Sequence, residues 1–76
     1  MSRTVERSYS RSTDKGEYTV HRRIHVSDKG GFDTPYISFP DSRHEVWGWE
    51  ELIALKEALE EFFENEEIPD NPGDDE

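Results

Sequence analysis

Seventy-six residues suffice for one small domain at most, and 37% charged against 30% apolar side chains make that domain lean. The absence of cysteine excludes a disulfide framework, a thiolate metal site and a cysteine nucleophile. No apolar run approaches the ~20 residues of a membrane span, and residues 1–20 lack the apolar stretch of a signal peptide, so a soluble, cytoplasmic chain without membrane contact is expected.

The formal net charge of −10 is unevenly spread. Residues 1–29 carry seven basic against four acidic side chains, a net +3, and the remainder carries two against fifteen, a net −13. Such asymmetry marks an electrostatic interaction surface.

Residues 1–14 are mostly Ser, Arg and Thr, with little apolar beyond Val5 and Tyr9, and predict a disordered basic arm. A single domain is expected over residues 15–66. Glu17 to Ser27 alternates with strand parity: Tyr18, Val20, Arg22, Ile24 and Val26 share one face, Thr19, His21, Arg23 and His25 the other. That pattern predicts a half-buried antiparallel strand in which Arg22 is the misfit. Asp28 to Gly31 reads as a turn, its two glycines supplying positive φ. A second strand follows over Asp33–Phe39, stopped by Pro40. Asp41 to Arg43 is a further turn, and His44–Trp47 is a candidate third strand.

From Trp49 the residues Leu52, Leu55, Leu59 and Phe62 recur at spacings of 3, 4 and 3, which predicts an amphipathic helix. Trp49 and Phe63 broaden the apolar stripe. Gly48 serves as N-cap, Glu50 and Glu51 fall in the first turn, where the macrodipole favours anions, and Asn65 is suited to a left-handed end. Residues 67–76, with two prolines, a glycine and five acidic side chains, predict a disordered acidic tail. The expected class is therefore α+β: a small antiparallel sheet of two or three strands, in the order β-β-(β)-α, packed on one C-terminal amphipathic helix. A core drawn from about fifty residues is marginal, so a homodimer paired through an open sheet edge, or docking on a partner, would add burial.

Little in the chain points to chemistry. His21 and His25 share a strand face but stand about 13 Å apart at ~3.3 Å per residue, too far for one metal ion. No serine lies in a nucleophile-elbow pattern, and Gly30-Gly31 lacks the lysine and helix of a phosphate loop. A fifty-residue core leaves little volume for a cleft that would tune paired carboxylates. No catalysis, no metal and no cofactor are expected.

Two binding readings remain. The first rests on the helix, where Glu50, Glu57, Glu61 and Glu64 fall on one stripe opposite the apolar face, with Glu60 beside them. The pairs Glu57–Glu61 and Glu60–Glu64 place like charges at i, i+4, and several carboxylates crowd the negative helix end, an arrangement that a basic external surface would relieve. Glu50 to Glu64 spans about 21 Å at ~1.5 Å per residue, several phosphate positions long. Trp47 and Trp49 flank Gly48 as candidate interface anchors. The composition resembles that of phosphate-mimicking inhibitors made by bacteriophages and mobile elements. It implies a non-catalytic, nucleic-acid-mimicking module that occupies a basic, nucleic-acid-binding partner protein.

The second reading is a dimeric single-stranded nucleic-acid binder. It uses the basic arm with Arg11, and Arg22, Arg23, His21 and His25 on the strand. A basic, aromatic sheet backed by an acidic helix is similar in outline to small single-strand-binding, coactivator-like dimers. In those proteins the helix follows the last strand almost at once, whereas here residues 41–48 intervene.

Overall fold

A computed structural model describes residues 2–41 and 44–69. Three strands, β1 (Arg3–Thr13), β2 (Gly16–Ser27) and β3 (Gly30–Ser38), form an antiparallel meander in the order β1-β2-β3, followed by one helix, α1 (Trp49–Asn65). The expected α+β class is what the chain adopts, but its third strand comes from an unexpected place. Residues 3–13, read from composition as a disordered arm, are β1.

The correction has a physical cause. β1 pairs residue for residue with β2, from Arg3 opposite Val26 to Thr13 opposite Gly16. Its few apolar side chains land where they are needed: Val5 opposite Ile24 and Tyr9 opposite Val20. On the other face its hydroxyls bond across the ladder, Ser10 to Thr19 at 2.9 Å, Ser8 to His21 at 2.8 Å and Thr4 to His25 at 2.9 Å. A polar strand is thus held by pairing rather than by bulk hydrophobicity.

Residues 44–47, the candidate third strand, are irregular, with His44 at φ 59. The turn expected at 41–43 and the tail expected at 67–76 lie largely outside the described residues.

The two hairpins use one device twice. Thr13-Asp14-Lys15-Gly16 and Ser27-Asp28-Lys29-Gly30 each place Asp-Lys at the tip, and the leading hydroxyl donates to the glycine carbonyl while accepting the lysine N–H. In these two turns positive φ falls on Gly16 (132°) and Gly30 (118°), where a side chain would be strained. Gly31 is instead set by close approach, since a Cβ there would collide with the His25 carbonyl of β2.

The helix lies on β1 and β2, clear of β3. Tyr18, Val20, Ala54, Ala58 and Phe62 are buried, and Tyr9 meets Phe62 edge-on with centroids 5.9 Å apart. Alanines face the sheet because large side chains, Tyr9 and Tyr18 among them, rise from it. The leucine stripe is consequently turned toward β3: Leu55 and Leu59 are half-buried, and Leu52 and Phe63 are exposed.

Candidate functional site

The carboxylates of the helix are partly answered from within. Arg11, projecting from the inner face of β1, reaches Glu61 at 2.7 Å and Glu57 at 3.8 Å, and the bond to Glu61 raises its pKa. Lys56 pairs with Glu60 at 3.2 Å across one helical turn. These pairs are open to solvent, which screens them, so each contributes little to stability. Among the described residues no cation pairs with Glu50 or Glu64, both exposed. The positive charge of the N-terminal half is therefore spent largely on the helix it backs.

The basic candidates are not gathered into one surface. Arg11 and Arg22 point toward the helix side, while His21, Arg23 and His25 occupy the opposite face of the sheet. There Arg23 bonds Glu6 at 3.3 Å and lies over the Tyr36 ring at 5.4 Å. His21 stacks on Tyr36 with centroids 4.4 Å apart, and His25 on Phe32 at 5.4 Å. Tyr36 and Arg23 both bond Glu6, and that carboxyl is lowered in pKa, chiefly by Tyr36. Arg23 is the one permanent cation in register on that face, and Glu6 neutralises it.

A centre that sequence reading missed holds the helix end to the sheet. Glu66, the C-cap, is buried at 7% exposure and gathers three side chains from two strands. Arg7 donates to both its oxygens at 2.8 and 3.0 Å, Arg22 donates at 3.0 Å, and the Tyr9 hydroxyl donates as well. Arg22 also forks onto both oxygens of Asp33 at 2.8 and 2.6 Å. The Arg7 and Tyr9 bonds outweigh burial and hold the Glu66 carboxyl down at about 2. The signal was present in the sequence: Arg22 on an apolar strand face needs a buried anion, and Glu66 follows the helix directly.

At the other helix end Glu51, also buried, accepts the Trp47 N–H and the Tyr18 hydroxyl and pairs with Lys15 at 3.2 Å. Burial raises its pKa, but Lys15 and the Trp47 N–H outweigh it, and the net direction is down.

The tryptophans do not plug the core. Trp49 is 77% exposed and Trp47 56%, and Leu52 and Ile53 beside them are each 48% exposed. Trp47 is tethered only at its edges, its indole N–H donating to Glu45 at 2.9 Å. Glu50 and Glu57 border this patch on the helix. No group of His, Asp or Glu among the described residues is arranged to hold a metal, and no described helix is long and apolar enough to cross a membrane. The chain matches no protein-family model, no curated protein and no solved structure.

Proposed function

We propose that the chain is a non-catalytic binding module that engages a basic surface of a partner protein through the N-terminal half of α1. The observation that carries this reading is the solvent-facing patch of Trp47, Trp49, Leu52 and Ile53 beside the carboxylate of Glu50, which pairs with no cation among the described residues. Tryptophan is over-represented among binding hot spots, and an apolar patch bordered by charge is the usual anatomy of an interface. Glu64, exposed at the far end of the same helix, extends the negative field some 21 Å along it at ~1.5 Å per residue. The partner class that fits is a basic, nucleic-acid-binding protein, with the acidic helix standing in for phosphates as an inhibitor would.

Affinity capture on the immobilised protein, followed by calorimetry with the purified partner, tests this. A basic partner is expected whose affinity falls at least about tenfold with Trp49→Ala. The double change Glu50→Lys, Glu64→Lys should weaken it again, and added salt should do the same. Binding unchanged by all three would refute the reading.

One observation favours the alternative of single-stranded nucleic-acid binding: Phe32 is half-exposed on the outer sheet face with His25 stacked on it. A labelled oligonucleotide should then bind with a steep salt dependence, and Phe32→Ala should weaken it.

A further inference from the structure

The sheet is longer than the helix that covers it. Twelve residues of β2 extend about 40 Å at ~3.3 Å per residue, against about 25 Å for the seventeen residues of α1 at ~1.5 Å per residue. The helix ends level with Arg7 and Arg22, the partners of Glu66. Beyond that level the helix does not reach, and among the described residues none lies over the inner face of the sheet. Val5, Ile24 and Val26 form a hollow of about 370 Å³ there, bordered by Arg3, and Val26 is 59% exposed.

The sheet is also wider than the helix. Between α1 and the uncovered inner face of β3 lies a cleft of about 710 Å³, walled by Ile37 and Phe39 on one side and Leu59 and Phe63 on the other. It continues along the helix flank past Leu55 and Leu52, and its helix rim carries Glu60 and Glu64. Glu67 borders the end of the cleft.

We propose that these two surfaces are each other's partners in a closed pair of chains: the projecting sheet end of one copy seats in the cleft of the other, and the reverse. Both surfaces are apolar and incompletely covered. Their borders are opposite in charge, Arg3 on the sheet end against Glu64 and Glu67 on the cleft. Within one chain they cannot meet, because the Glu66 anchor fixes the helix end between them. A two-fold arrangement satisfies both at once and stops at two copies, whereas an unrelated partner in the cleft would leave the sheet end bare. The Trp47 and Trp49 side chains lie outside this contact, whereas Leu52 and Glu64 border both surfaces, so Trp49→Ala is the change that separates the pairing from the proposed function.

Sedimentation equilibrium at about 0.15 M salt, where charge is screened beyond ~8 Å, tests the proposal on the intact chain. The parent should show a reversible monomer–dimer equilibrium ending at twice the 8.9 kDa of one chain. Phe63→Glu in the cleft and Val26→Glu on the sheet end should each weaken it at least about a hundredfold, and Trp49→Ala should leave it unchanged. A parent that stays monomeric at about 200 μM, on the weak side of micromolar association, overturns the proposal. So does growth into higher polymers. Disruption by Phe63→Glu but not by Val26→Glu also overturns it, since the cleft would then meet itself. Should a variant lose its far-ultraviolet fold, the parent's melting temperature decides: a rise with protein concentration supports the pair, and independence of concentration overturns it.

Discussion

Glu66 shows how one side chain can resolve several difficulties. Arg7 and Arg22 stand opposite each other on neighbouring strands, and without an anion between them the inner face would carry two adjacent positive charges. The carboxylate removes that repulsion, closes the helix end and gives the Tyr9 hydroxyl an acceptor. Glu66→Gln keeps the shape and removes the charge. It should cost about 3 kcal/mol, the lower end of what breaking a buried pair costs, because Arg7 remains partly solvated. Chemical denaturation at neutral pH checks this. The pH dependence has a definite sign. A carboxyl held at about 2 when folded, against 4.5 ordinarily, contributes fully above the ordinary value and progressively less as the pH falls from 4.5 toward 2. The parent and Glu66→Gln should therefore converge in stability on acidification, and a constant gap down to pH 2 would refute the assignment.

At the scale of elements, the helix was legible and the first strand was not. The 3-4-3 spacing located α1 because period and length agree, and capping marked its start. What the spacing could not say was which side of the stripe would meet the sheet. The side that meets it carries Ala54 and Ala58 in its middle and Phe62, edge-on to Tyr9, at its end. β1 escaped because composition averages over both faces of a strand, whereas its stability is set position by position against β2. Removing residues 1–13 should consequently abolish cooperative unfolding, where a disordered arm would leave the melt unchanged. On the helix, charge changes should divide by partner. Glu64→Lys places a cation near the negative helix end and should stabilise by about 0.5 kcal/mol. Glu61→Lys confronts Arg11 and should destabilise by a similar amount, since it turns an attraction into a repulsion. Thermal melts of the two variants moving in the same direction would contradict the pairing.

For the molecule as a whole, the charge asymmetry acts in good part as an internal instruction. Arg7, Arg11, Lys15 and Arg22 each meet a carboxylate carried by α1 or its cap. Sequence alone recorded the imbalance but not its destination, because pairs separated by 36 to 59 residues leave no local signature. The candidate anchors Trp47 and Trp49 were legible as residues of interest, and they are exposed where the helix begins, at the end marked by Glu51.

The Glu66 anchor also has a consequence for the order in which the chain folds. Each hairpin closes over two residues and the helix forms from its own neighbours, all events of about a microsecond or less to tens of microseconds. Joining them requires Glu66 to find Arg22, 44 residues back, and Arg7, 59 residues back. Contacts so distant in sequence carry the largest loop-closure cost and form late, after the hairpins are in place. Interactions absent from the transition state affect escape from the native state rather than entry into it. In stopped-flow kinetics Glu66→Gln should therefore speed unfolding and leave the refolding rate nearly unchanged, whereas Gly16→Ala, in the first hairpin, should slow refolding. The short-range turns then set how fast this chain arrives at its fold, and one distant carboxylate sets how long it stays there.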